Sequence, residues 1–258
     1  MSVTAVTAVT GSASGIGAAV CQQLRQAGHT VIGIDRQQAE VIADLSSSEG
    51  RAHAAEQVIA LSKGKLDGLV CCAGLGVTAP SSSLVVSVNY FGSTELIDLL
   101  QPALTKGTKP AITIIGSVAA SQQADQPHPM TELMLNNDEQ AARILADELG
   151  EPHIAYAASK YALTVHCRRL AVTTGSTGVR LNIVAPGAIE TPLHEASKND
   201  PRFGESVRNF IAPIGRNGQP SEIADAVSFL QSAQASFVHG SIIYVDGGMD
   251  AMMRNGKL

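Results

Sequence analysis

Short runs of β-branched and apolar residues recur along the 258 residues, and the stretches between them return apolar positions every three or four residues. Strand-length runs alternating with helical periodicity predict a parallel sheet covered on both faces, because parallel neighbours need a crossover that lies across the sheet. Strands read at Thr4–Val9, Thr30–Ile34, Glu40–Ala43, Leu66–Cys72, Ala111–Ile115, Arg180–Ala185 and Ser241–Val245. Helices fit Gly15–Ala27, Ala52–Ser62, Leu84–Leu104, Tyr156–Thr174 and Ser221–Leu230. The predicted class is α/β: a doubly wound, parallel, seven-stranded sheet in one domain spanning residues 1–258.

Two stretches interrupt this rhythm. Ser121–His153 is polar, holds Pro127 and Pro129, and carries a helical segment around Glu139–Leu149; Ile189–Arg216 separates a strand from the last expected helix. Segments of that length in a compact domain tend to be lids or binding loops, so the first reads as an insertion at 121–153 and the second as a substrate loop at 189–216.

Charge narrows the partners. A net charge of −5 without a dense basic run argues against nucleic acid, which needs a clustered Lys/Arg footprint. No apolar stretch reaches membrane-spanning length and no cleavable leader is evident, so no membrane partner and a cytoplasmic location are expected. Cys21, Cys71, Cys72 and Cys167 lack metal-ligand spacing and read as buried filler, so no metal is expected.

The first strand runs into Thr10-Gly11-Ser12-Ala13-Ser14-Gly15-Ile16-Gly17 and then directly into a helix. Glycines there let backbone N–H groups approach a pyrophosphate, and a helix N-terminus adds partial positive charge. Asp35 ends the second strand about 20 residues on, where a carboxylate accepts from ribose hydroxyls and repels the 2′-phosphate of NADP. Arg36 beside it is an alternative holder of that phosphate, but Asp35 takes the strand-end position, so NAD(H) is favoured. Asp44-Leu45 and Cys72-Ala73-Gly74 end two further strands at the same edge of the sheet.

Tyr156 and Lys160 stand four residues apart on a helix and share a face. A phenol with an ordinary pKa near 10 is a poor base at neutrality, and a neighbouring ammonium lowers it. That spacing is common on solvated helices, so the pair acquires weight only with Ser117, which ends the fifth strand, and with Asn89, placed to orient Lys160 through water. Ser117 and Tyr156 together would hold the substrate oxygen.

In this order and combination, Thr10–Gly17, Cys72-Ala73-Gly74, Val88-Asn89-Tyr90, Ser117, Tyr156-Ala157-Ala158-Ser159-Lys160, Pro186-Gly187 with Thr191, and Val245-Asp246-Gly247-Gly248 resemble the short-chain dehydrogenase/reductase family from end to end. The resemblance implies a Rossmann-type fold and catalysis by Ser117, Tyr156 and Lys160, with Asn89 in support. It further implies a nicotinamide held along Pro186, Gly187, Ile189 and Thr191.

The chain departs from the usual family pattern in three places. Only Arg36–Ala39 separates the second and third strands, Gly74–Asn89 is short, and Ser117–Tyr156 is long. With the tail Asp246–Ala251, these features resemble family members that oxidise 3α-hydroxysteroids, and they imply a steroid or another carbonyl or alcohol small molecule as substrate. Ile189, Leu193, Phe203, Phe210 and Met249 either line its site or belong to the core. A bulky insertion would obstruct the helix surface that many members use for assembly, implying a homodimer through Ser221–Val245; the bland alternative is a surface ornament. Two functional rivals stand beside this reading: a family enzyme for a non-steroid alcohol, and a non-catalytic nucleotide-binding protein, which the intact Ser117, Tyr156 and Lys160 disfavour.

Overall fold

The computed structural model describes residues 4–256. Strands β1 (Val6–Thr10), β2 (Thr30–Asp35), β3 (Val41–Ile42), β4 (Gly68–Cys71), β5 (Ala111–Ile115), β6 (Arg180–Pro186) and β7 (Ile242–Val245) form one parallel sheet in the order β3-β2-β1-β4-β5-β6-β7. The order reverses between β1 and β4, which opens a crevice beyond their carboxyl ends. The helices are α1 (Gly15–Gln26), α2 (Ser48–Leu61), α3 (Ser82–Val86), α4 (Gly92–Leu104), α5 (Met130–Leu135), α6 (Glu139–Leu149), α7 (Pro152–Thr174), α8 (Pro192–Lys198), α9 (Gly204–Asn209), α10 (Pro220–Gln231) and α11 (Met249–Met253).

Period-two alternation along the strands feeds two cores. Val9, Val31, Val70 and Val184 face α1 and α10, packing with Leu24, Ile223 and Val227. Ala8, Ile32, Leu69 and Ile112 face the other way, toward Val58, Leu96, Leu100 and Leu163 of α2, α4 and α7. Each fully buried aliphatic side chain of this kind contributes about 1.5–3 kcal/mol, so both layers hold the crevice rigidly.

The five residues Arg36–Glu40 that join β2 to β3 are too few for an ordinary parallel crossover. The chain manages with them because β3 is short: it pairs only Val41 with Ile34 and Ile42 with Asp35, so the backbone needs to step back by barely two residues. The exposed edge that results leaves Ile42 half in solvent, and Glu40 covers part of it by accepting from Gly33 N at 2.8 Å and from Arg25 at 2.8 Å.

The helix expected at Leu84–Leu104 is instead three pieces. It begins at Ser82, and a π-helical turn at Ser87–Phe91 separates α3 from α4. The extra residue in a π turn re-aims the side chains inside it, and Asn89 is one of them. Within 121–153, α5 and α6 pack into the main core: Met130, Met134, Ala142 and Ala146 are fully buried. Arg51 of α2, only 1% exposed, reaches Glu139 of α6 at 2.6 Å and Glu95 of α4 at 2.5 Å, joining the segment to two core helices. No helix among the described residues is long and apolar enough to cross a membrane.

Candidate active site

The glycine-rich turn after β1 is shaped by contacts that only glycine permits. A Cβ on Gly17 would collide with Gly11 O, and one on Gly11, where φ is +67°, would meet Ala73 N at 2.9 Å. Thr10 braces the turn by accepting at Oγ1 from Cys72 N at 3.0 Å and Ala73 N at 2.9 Å. Helix α1 then opens without a side-chain cap and without an acidic residue in its first turn. Its N-terminal N–H groups are left for an incoming anion, and the helix dipole favours one. A dinucleotide pyrophosphate fits this cradle.

Every residue expected at the cofactor borders one cavity of about 900 Å3. Gly11, Ser14, Gly15, Ile16 and Gly17 form its floor, while Asp35, Arg36, Asp44 and Leu45 close one end. Asp35 is fixed there, accepting from Ala13 N at 3.0 Å through Oδ2 and from Arg36 N at 2.7 Å through Oδ1. Asp44 accepts from Ser46 N at 2.9 Å, and that bond holds its carboxyl below the usual range. Cys72, Ala73 and Gly74 form the middle. Burial pushes the neighbouring Cys71 thiol up to about 12, and Cys72 well up as well, so both sulfurs are inert packing.

Pro186, Gly187, Ile189 and Thr191 border the other end, beside Ser117, Tyr156 and Lys160. Thr191 caps α8 by accepting from His194 N at 3.2 Å, and its methyl group lies over Gly15. The base of the loop is pinned by a bridge between Ile189 and Gly218. Glu190 reinforces it, accepting from Asn217 at 2.6 Å and from Lys198 at 2.9 Å.

The expected partnership of Tyr156 with Lys160 takes a different form. Lys160 Nζ donates to Ile115 O at 2.8 Å, and burial pulls its ammonium down to about 8. Burial likewise raises the Tyr156 phenol, with a hydrogen bond from Ser117 opposing the rise. Desolvation outweighs that hydrogen bond, so the phenol sits above its ordinary range. Asn89 does not border the cavity. It accepts from Leu75 N at 2.8 Å, donates to Leu75 O at 3.0 Å and to Ser159 Oγ at 3.3 Å, and Ser159 in turn donates to Tyr156 O at 2.8 Å. A Cβ on Gly74 would lie 3.4 Å from Asn89 Oδ1 and 3.6 Å from Lys160 Nζ, so the space between those two groups exists because residue 74 has no side chain.

Leu193, Phe203, Phe210 and Met249 line the cavity, as the sequence allowed, alongside the polar His194, Ser197 and Ser206, and Ile189 serves both cavity and core. Sequence reasoning missed Val77, Gln122 and His153. For His153 a signal existed: Pro152 suits the first helical position, and starting α7 there rather than at Tyr156 puts His153 on the face of Tyr156 and Lys160.

Residues 5–128 match the short chain dehydrogenase family model, and residues 140–250 match the model described as enoyl-(acyl carrier protein) reductase. The chain is 50% identical over 248 residues to a 3-alpha-hydroxysteroid dehydrogenase/carbonyl reductase of Comamonas testosteroni, covering 95% of this chain and 96% of that one. It is 30% identical to a glucose 1-dehydrogenase of Gluconobacter oxydans, over 93% and 90% of the two chains. Its structure superposes on that of the 3-alpha-hydroxysteroid dehydrogenase from Pseudomonas sp. B-0831 complexed with NADH at a TM-score of 0.96, with 57% identity and coverage of 98% and 100%. With the glycine cradle, the β1/β4 crevice and this likeness along the whole chain, the protein belongs to the short-chain dehydrogenase/reductase family.

Proposed function

We propose that the protein is an NAD(H)-dependent dehydrogenase that reversibly oxidises a 3α-hydroxysteroid to the 3-ketosteroid and also reduces other carbonyls. The observation that carries it is the meeting of Ser117, Tyr156 and Lys160 where a dinucleotide cradle opens into an apolar pocket. A nicotinamide held along Pro186, Gly187, Ile189 and Thr191 would supply the hydride acceptor for oxidation of the carbinol carbon and, reduced, the hydride donor for the reverse reaction. Ser117 holds the substrate oxygen, and Tyr156 takes the hydroxyl proton in oxidation or gives it to the ketone in reduction. Lys160, fixed by Ile115 O, supplies positive charge toward the ribose and the phenol, and Asn89 positions the turn that supports it. Asp35 selects NAD. The apolar wall accepts a rigid hydrocarbon, and both the Comamonas relative and the Pseudomonas structure carry a 3α-hydroxysteroid activity in their names. In a spectrophotometric screen of NAD and NADP against androsterone and unrelated alcohols, androsterone with NAD is expected to give the highest kcat/KM. No turnover of any 3α-hydroxysteroid would overturn the substrate while leaving the chemistry in place.

The assembly proposed is a homodimer through Ser221–Val245. Supporting it, β7 is an open edge, Phe237 is fully exposed and Phe229 and Val172 lie out in solvent, while α5 and α6 occupy the side of α3 and α7. Light scattering should give twice the chain mass, and Phe237→Glu should shift it toward one. A tetramer joined through α4 and α7 would refute the arrangement. The four thiols are all free, which suits a reducing cytoplasm.

A further inference from the structure

Three segments far apart in sequence meet at the lid side of the cavity. The Phe203 ring, at the start of α9, lies 5.2 Å from the His153 imidazole, centroid to centroid. The Arg202 guanidinium stands 4.9 Å from the same Phe203 centroid. Arg202 is itself tied down: it donates to both carboxylate oxygens of Asp200, at 3.1 and 2.9 Å, and to Val77 O at 3.4 Å. His153 occupies the first turn of α7, three residues before Tyr156 and on the same face, so about 4.5 Å of helix axis separates them. Val77, His153 and Phe203 all border the cavity. The 121–153 segment ends at His153, which places the part of the chain that departs most from the family pattern directly against the lid.

We propose that Phe203, held by its contacts with Arg202 and His153, is a specificity-determining residue that selects fused-ring alcohols over small ones. The inference rests on the dehydrogenase reading above and deepens it. A ring already held by contacts with a guanidinium and an imidazole loses little side-chain freedom when a substrate packs on it, so the apolar contact is returned as affinity. His153, against which the ring packs, stands about one helical turn before Tyr156. A single six-membered ring held at Ser117 and Tyr156 makes little use of the Phe203 wall, and each further fused ring adds contact.

The test is Phe203→Ala assayed on cyclohexanol, decahydro-2-naphthol and androsterone, with NADH affinity and melting temperature measured alongside. The loss in kcat/KM should grow along the series and be about 10-fold or more larger for androsterone than for cyclohexanol, with the difference in KM rather than kcat. Phe203→Leu should recover part of it, and His153→Ala, which removes one of the contacts that hold the ring without touching Phe203, should shift the series in the same direction. Losses equal on all three alcohols, in either variant, would overturn the proposal. Should the wild type reject androsterone but oxidise decahydro-2-naphthol, the steroid reading fails and the wall is judged on the two remaining alcohols. Acceptance of cyclohexanol alone overturns both.

Discussion

Tyr156→Phe should lower kcat for alcohol oxidation and for ketone reduction by about 1000-fold, the midpoint of what a positioned general acid or base contributes. That loss corresponds to about 4 kcal/mol of transition-state stabilisation. The substitution keeps the ring that packs against the core cluster and removes only the hydroxyl that Ser117 contacts, so the pocket stays filled. NADH affinity should therefore change less than about twofold. The chain contains no tryptophan, which leaves NADH fluorescence free of indole emission as the binding readout. Reduced kcat with unchanged NADH binding separates a lost proton transfer from a collapsed site. Undiminished turnover would refute the role given to Tyr156 and shift attention to Ser117 as the proton-handling group.

Features that depend on one local requirement are legible in the amino-acid sequence. Gly11 and Gly17 announce a turn because no other residue survives there, and the strand-then-helix setting around them is visible in hydropathy alone. Ser117 reads as a strand-end hydroxyl because Ala111–Ile115 is an apolar, β-branched run interrupted only by Thr113. Features that depend on how distant segments meet are not legible. Phe203 and His153 are fifty residues apart, and nothing in either neighbourhood says that the lid will fold back onto α7. Arg51 looks like a solvent-facing helix charge, and only the meeting of Glu95 from α4 with Glu139 from the 121–153 segment explains its burial. Lys160 shows the limit most clearly. Four-residue spacing places it on the face of Tyr156, yet its ammonium bonds Ile115 O, because a buried cation takes the nearest strong acceptor.

The second large effect concerns the nucleotide. Asp35→Ser should cut the NAD-over-NADP ratio of kcat/KM by about 300-fold, from two separable sources. Losing charged hydrogen bonds to the ribose hydroxyls weakens NAD by about 2 kcal/mol, or 30-fold. Removing the fixed negative charge from the path of a 2′-phosphate relieves a repulsion worth about 1.4 kcal/mol in a partly hydrated setting, or 10-fold in favour of NADP. Arg36 amplifies the second effect, since it borders the cavity beside Asp35. With the carboxylate gone, the Arg36 guanidinium is the cation nearest in sequence to that position, with Asp44 within its electrostatic reach. Asp35 also braces the glycine turn through Ala13 N, so Asp35→Asn is the sharper control. It keeps an acceptor for that N–H and deletes only the charge. NADP activity should rise with Asn as it does with Ser, and the wild-type discrimination should narrow at high salt as screening shortens the reach of the carboxylate. An unchanged ratio in Asp35→Asn would mean that discrimination comes from shape around the ribose rather than from the charge of Asp35.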